Sequence, residues 1–189
     1  MEKSTVQQPH ETTGQSRLLV LTAALAAMAC AATMVVRIPT PTGGYVNLGD
    51  AVVLLGAYLL GPGWGAAAAG IGSALADLLG GYPLYIPATL VIKAAMAASA
   101  GGLYHVLRGK RGGSVLCGVL AESLMVLGYW LFDALLASAG DPSFLVALSG
   151  SAAGIPGNLI QAVFGVAAST ALTAALRKSL AIRRTFPRL

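Results

Sequence analysis

Charged side chains inside an apolar stretch constrain this fold most strongly. Residues 43–93 are mostly apolar, yet they include Asp50, Asp77 and Lys93. A charge placed in the hydrocarbon layer of a membrane costs about 2.5–3.5 kcal/mol on insertion scales, so such residues usually face the protein interior and are functional candidates. Gly-Pro and Gly-Gly turns divide the stretch into two short helices, an outer loop and the start of a further helix.

The chain as a whole is also rich in apolar residues. Of its 189 residues, 56% are apolar and 10% are charged, whereas soluble domains carry about 25% charged residues. The long apolar runs do not alternate with polar residues, as a membrane β-barrel requires. We therefore predict an all-α polytopic membrane protein without a separate soluble domain. Because His10 and His105 lie far apart and both cysteines lie in apolar runs, we expect no metal site, no disulfide and no cofactor.

Six transmembrane helices are predicted, at about residues 18–36, 47–60, 64–79, 87–108, 114–138 and 148–180. Residues 1–16 are predicted to be a cytoplasmic tail, 17–182 the transmembrane domain and 183–189 a basic cytoplasmic tail. Asn47 is the expected N-cap of the second helix, and Pro156 is expected to bend the last one. A signal peptide is disfavoured because the first apolar run continues past Cys30.

The basic residues predict the orientation of the bundle. Cytoplasmic loops of membrane proteins carry an excess of Lys and Arg. The loop between the fourth and fifth helices and the C-terminal segment contain Arg108, Lys110, Arg111, Arg177, Lys178, Arg183, Arg184 and Arg188. The opposite side has only Arg37. With six helices, both termini are then cytoplasmic.

With that orientation, polar side chains from five helices and one loop fall in the outer half of the bundle. Aromatic rings that stack and amides that hydrogen-bond suit a small, flat, polar ring compound. The predicted substrate-binding residues are Tyr45, Asn47, Asp50, Asp77, Tyr85, Lys93, Tyr129, Trp130, Asn158 and Gln161. We expect no catalytic residues among them.

Structural roles remain open for several of these residues. Tyr85 is typical of the aromatic belts at membrane interfaces. Asp77 and Lys93 can form an ion pair between adjacent helices, and Asp50 can be stabilised by the helix dipole at a helix start. Asn158 can satisfy a backbone group freed by Pro156.

Small residues form a stripe on the first helix. Ala23, Ala27 and Ala31 recur at a spacing of four and create a flat face for close helix packing. The face can pack within the same molecule or dock on another membrane protein.

Several segments together resemble a known family. These are residues 38–41 (IPTP), 44–50 (GYVNLGD), 60–65 (LGPGWG), 72–77 (GSALAD), 81–83 (GYP) and 87–93 (PATLVIK), within about residues 18–108. In order and spacing they resemble the substrate-binding S components of energy-coupling factor (ECF) vitamin transporters. The likeness is greatest to the branch for riboflavin-like or hydroxymethylpyrimidine-like substrates.

The resemblance implies a function in the cell membrane. An S component binds a vitamin or precursor from outside with high affinity, joins a membrane coupling subunit and two ATPases, and topples in the membrane to deliver its substrate. It implies that Ala23, Ala27 and Ala31 dock on the coupling subunit and that residues 42–46 cover the substrate. The chain has no phosphate-binding loop of its own, so the ATPases are separate partners.

Two other functions are weighed against this one. A self-contained secondary transporter or channel often shows inverted repeats, and no convincing repeat is present. An intramembrane enzyme needs a nucleophile with a base, or a metal cluster. Ser73 with Asp77 is a weak pair for that chemistry.

Overall fold

The protein is a helical bundle with one short β-hairpin. The structure, a computed structural model, describes residues 9–140 and 143–188. Its elements are α1 (Pro9–Val35), β1 (Arg37–Pro39), β2 (Tyr45–Asn47), α2 (Gly49–Leu60), α3 (Pro62–Gly80), α4 (Ile86–Leu107), α5 (Gly113–Ser138), α6 (Phe144–Ser151), a 3₁₀ turn (Ala152–Gly154), α7 (Ile155–Leu176) and α8 (Leu180–Thr185).

The predicted all-α membrane fold is confirmed. Within the described residues, four helical segments are long and apolar enough to cross a membrane: Gly14–Val35, Ile86–Leu107, Gly113–Ser138 and Phe144–Leu176. The 12 residues of α2 extend only about 18 Å, less than the ~30 Å hydrocarbon layer. The count of six spans therefore remains a prediction for α2 and for α3.

Two local predictions were wrong. The segment predicted as a loop between the first two helices forms an antiparallel hairpin in which Ile38 pairs with Val46. Asn47 is not the N-cap of α2, since the helix begins at Gly49 and Leu48 takes that position. Asn47 instead accepts a hydrogen bond from the Gly49 N–H through its side-chain oxygen, at 2.8 Å.

The last membrane segment has the predicted length but lies four residues earlier in the chain. It begins at Phe144 rather than near residue 148 and runs to Leu176, through the 3₁₀ turn at Ala152–Gly154. Pro156 follows that turn in the first positions of α7. A proline there costs no intrahelical hydrogen bond, because the first N–H groups of a helix have no partner within it.

Glycines bring α3 close to both of its neighbours. A Cβ at Gly72 would collide with the Ala26 carbonyl of α1, and one at Gly70 would lie 2.8 Å from the Leu90 carbonyl of α4. Only the absence of a side chain allows these backbones to approach so closely. This packing sets how near the polar residues of α3 lie to those of α4.

The basic segments gather at one end of the bundle. Arg177 donates to the Tyr104 hydroxyl at 2.7 Å and to the Arg108 carbonyl at 2.9 Å. Arg108 donates to the Pro187 carbonyl at 3.3 Å. The turn between α4 and α5 and the C-terminal segment therefore lie together, while the hairpin lies at the opposite end.

Candidate substrate-binding site

A cavity lies under the hairpin, at the end of the bundle away from the basic segments. Eight of the ten predicted substrate-binding residues line it: Tyr45, Asn47, Asp77, Tyr85, Lys93, Tyr129, Asn158 and Gln161. They come from β2, α3, α4, α5, α7 and the residue before α4. Helices that are distant in sequence thus direct their polar side chains to one place.

The cavity is small in this structure. Its volume is about 30 Å³, which holds about two water molecules. A ring compound of vitamin size needs far more space. The hairpin or the surrounding helices must therefore move before such a molecule is bound.

A buried ion pair forms the floor of the site. The Lys93 ammonium of α4 donates to Asp50 Oδ1 of α2, and their side chains are 3% and 1% exposed. Lys93 also lies 5.5 Å from the centre of the Tyr129 ring, in the geometry of a cation–π contact. Lys93 is therefore paired with Asp50 and not with Asp77, the partner that the sequence left open, and Asp50 lies behind the cavity wall rather than on it.

Gln161 connects this ion pair to the hairpin. Its amide nitrogen donates to Asp50 Oδ2 at 2.5 Å, and its amide oxygen accepts from the backbone N–H of Asn47 at 2.6 Å. Both ends of the Gln161 side chain are used within the protein. This arrangement couples the position of β2 to the charged groups beneath it.

Two phenols hold the hairpin and the loop before α4 over the cavity. Tyr45 donates to Asp77 Oδ1 at 2.6 Å, and Tyr85 donates to Asp133 Oδ1 at 2.8 Å. Burial first, and then the adjoining carboxylate, raises the pKa of both phenols above the ordinary tyrosine value. Both tyrosines therefore stay neutral donors at physiological pH. Since Tyr85 is buried, it is not a belt residue at a membrane surface.

Trp130 takes a different place from the one expected. Its indole nitrogen donates to the Leu148 carbonyl at 3.0 Å, which ties α5 to α6. It is absent from the cavity wall formed by the described residues.

The predicted list of substrate-binding residues omitted several residues of the wall, among them Ser73, Thr33, Thr40, Thr42, Thr89 and Asp133. Thr89 precedes Lys93 by four residues and Asp133 follows Tyr129 by four, so helical spacing was a usable signal for both. Thr89 accepts a hydrogen bond from the Tyr129 hydroxyl at 3.0 Å.

Comparison with known proteins identifies the family. The model of the family described as "ECF-type riboflavin transporter, S component" matches residues 14–178. The chain belongs to this family of ECF S components.

Relatives of this S component agree in sequence and in fold. A Pyrococcus woesei protein described as "Uncharacterized protein in gap 3'region" is 38% identical over 150 residues, which cover 78% of this chain and 93% of that protein. The crystal structure of the S component for biotin from an ECF-type ABC transporter has a TM-score of 0.62 at 18% identity, covering 96% of this chain and 100% of that one. A structure of the S component of a bacterial ECF transporter has a TM-score of 0.60 at 18% identity, covering 87% and 97%.

Family membership decides between the functions that the sequence left open. This S component is a multi-pass protein of the cell membrane and the substrate-binding subunit of a vitamin transporter, which works with an ECF transmembrane subunit and ATPases. It is neither an enzyme nor a self-contained transporter.

Proposed function

We propose that this S component captures a small, flat vitamin or vitamin precursor in the cavity beneath the hairpin. The observation that carries the proposal is the convergence of eight polar and aromatic residues from separate elements on that one cavity. Riboflavin, named in the family description, and hydroxymethylpyrimidine-like compounds are the candidate substrates.

The wall offers two kinds of contact for such a ring. The faces of Tyr45, Tyr85 and Tyr129 supply stacking surfaces, and Asn158 and Lys93 supply polar contacts that fix the orientation. Asp50 lies behind the wall, and Gln161 lines the cavity but is engaged by neighbouring groups at both ends of its amide. Asn158 is 8% exposed and is the amide that we assign to the substrate.

The hairpin is the gate of the proposed site. Its turn, residues 40–44, is closed by a hydrogen bond from the Thr40 N–H to the Gly44 carbonyl at 2.9 Å. A substrate enters when the Tyr45–Asp77 and Tyr85–Asp133 hydrogen bonds open. It then replaces some of those contacts with its own, so substrate binding and closure of the gate are coupled.

The stripe of alanines on α1 is the proposed docking face for the coupling subunit. Ala23, Ala27 and Ala31 are exposed, whereas Ala26 and Ala29 on the other side of the helix are buried in the bundle. The stripe is therefore free to pack against a partner helix. With the basic end of the bundle in the cytoplasm, both termini lie inside and the gate opens to the outside.

Ligand binding by the purified full-length protein in detergent tests the proposal. Isothermal titration without ATP should show one molecule of riboflavin, or of an aminopyrimidine or pyridine vitamer, bound at nanomolar to micromolar affinity. Asn158→Ala should weaken binding by about 1–3 kcal/mol, the usual cost of a lost buried hydrogen bond. Ser149→Ala, an exposed position on α6 whose hydroxyl bonds its own helix, is the matched control. Absence of binding for all of these compounds would overturn the proposal.

A further inference from the structure

The charges on the cavity wall are unbalanced. Two carboxylates, Asp77 and Asp133, line the cavity, and the lysine that lines it, Lys93, is already paired with Asp50. Glu122 is buried at 1% exposure deeper in the bundle and is also acidic, while Arg37 at the hairpin is exposed. Among the described residues of the wall, no unpaired basic side chain is therefore available to Asp77 or Asp133.

Hydrogen bonding is also incomplete at one point of the wall. Asp77 Oδ2 and the Ser73 hydroxyl are buried and make no hydrogen bond of ordinary length within the described part of the chain, although the Thr89 hydroxyl lies close enough to interact with the Asp77 carboxylate. The two residues are 3% and 2% exposed, and both line the cavity. They lie one turn apart on the same face of α3. Buried polar atoms are rarely left unpaired, so each such atom indicates a missing partner.

The acidic side chains of the wall and the unpaired polar atoms of Asp77 and Ser73 favour the same kind of ligand. A carboxylate with a free oxygen accepts hydrogen bonds, and a neighbouring hydroxyl can accept one as well. A hydrogen bond to a charged group is about twice as strong as one between neutral groups. A ligand that presents only acceptors to this point would leave Asp77 desolvated and unpaired.

We propose that the cavity selects a ring compound that carries an amino group or a protonated nitrogen, and that this nitrogen binds Asp77 Oδ2 and the Ser73 hydroxyl. The inference rests on the proposed function and adds the chemical class of the substrate. Riboflavin is uncharged, and the polar edge of its ring system consists mostly of acceptors. The site should therefore prefer an amine-bearing vitamer to riboflavin.

Matched ligand pairs test this selection on the full-length protein. Thiamine and oxythiamine differ only in an amino group that is replaced by an oxo group, and pyridoxamine and pyridoxine differ only in an amine that is replaced by a hydroxyl. All four compounds are titrated, with riboflavin as a fifth probe. At least one amino compound should bind about tenfold or more tightly than its partner. The reason is that a site built to bind a hydrogen-bond donor rejects the analogue that lacks the donor.

Variants of Asp77 and Ser73 test whether these two residues bind the amino group. Asp77→Asn should reduce the ratio of the two affinities, amino compound over its partner, to about threefold or less, since the charge-assisted bond to the amine is lost. Ser73→Ala should reduce the preference in part, and Ser149→Ala should leave it intact. If Asp77→Asn does not fold, the inference is tested by comparing the affinity ratio of the native protein with that of Ser73→Ala.

The results of these titrations distinguish failure of the proposed amine preference from failure of the proposed function. Tight riboflavin binding without preference for either amino compound would overturn the inference and leave the proposed function standing. Binding of none of the five probes would overturn both. A preference that survives Asp77→Asn would show that the amine is held elsewhere, and would also overturn the inference.

Discussion

The ammonium of Lys93 donates to the carboxylate of Asp50, which joins α4 to α2 at the floor of the cavity. Both side chains are almost fully buried, in a protein whose surroundings are largely hydrocarbon. Removing one partner of a buried pair leaves an uncompensated charge, whereas replacing both partners with apolar residues is often neutral. The two residues therefore stabilise the fold only when both are present.

Lys93→Met should therefore lower the stability of the protein by about 3–5 kcal/mol, measured by denaturant unfolding in detergent. The double variant Lys93→Met with Asp50→Leu should recover most of that loss. Lys110→Met, at an exposed position in the basic turn, should have little effect. A double variant that is less stable than Lys93→Met would show that the loss does not come from leaving Asp50 unpaired.

The hydrogen bond from Tyr45 to Asp77 should give a characteristic pH dependence. Tyr45→Phe should cost about 1.5–3 kcal/mol at neutral pH, the range for a hydrogen bond to a charged group. Because the folded pKa of Tyr45 is raised, this contribution is fully present below the ordinary tyrosine pKa of about 10 and falls as pH rises above it.

Melting temperatures of the native protein and of Tyr45→Phe across this pH range check the prediction, because groups common to both proteins cancel in the difference. The difference should be constant near neutral pH and shrink in strong alkali. A difference that grows with pH would mean that the phenol does not donate to Asp77.

Two adjacent glycines in α4 should respond in opposite ways to the same substitution. A Cβ at Gly101 would lie 2.8 Å from the Gly61 carbonyl carbon and 2.9 Å from the Ala57 carbonyl oxygen, whereas one at Gly102 would meet nothing within 4 Å. Gly101→Ala should destabilise the protein by about 1–3 kcal/mol through overpacking. Gly102→Ala should be neutral or stabilise it by about 0.5–1 kcal/mol through helix propensity. Equal melting temperatures for the two variants would contradict the close approach of α4 to the turn between α2 and α3.

The alanine stripe should matter for assembly and not for substrate binding. Ala27→Leu should abolish co-purification with the coupling subunit, while substrate affinity stays within about twofold, as for most surface substitutions. Ala175→Leu, at an exposed position on α7, should change neither property. Loss of substrate binding in Ala27→Leu would place the stripe inside the binding unit instead.

The sequence by itself determined the helices and most of the wall. The apolar runs predicted α4 as residues 87–108, against Ile86–Leu107 in the structure, and α5 as 114–138, against Gly113–Ser138. Hydropathy and helix signals are local, so they can be read residue by residue. The cost of a charge in hydrocarbon likewise predicts that Asp77 and Lys93 face inward, without reference to any partner.

Only the tertiary structure decided which groups meet. Asp50 rather than Asp77 pairs with Lys93, Trp130 turns to α6, and Asp133 joins the wall through Tyr85. These outcomes depend on distances between helices, which no property of a single segment encodes. The hairpin was missed for the same reason: each of its strands is three residues long, and such strands are stabilised by each other and by the bundle below rather than by a pattern of their own.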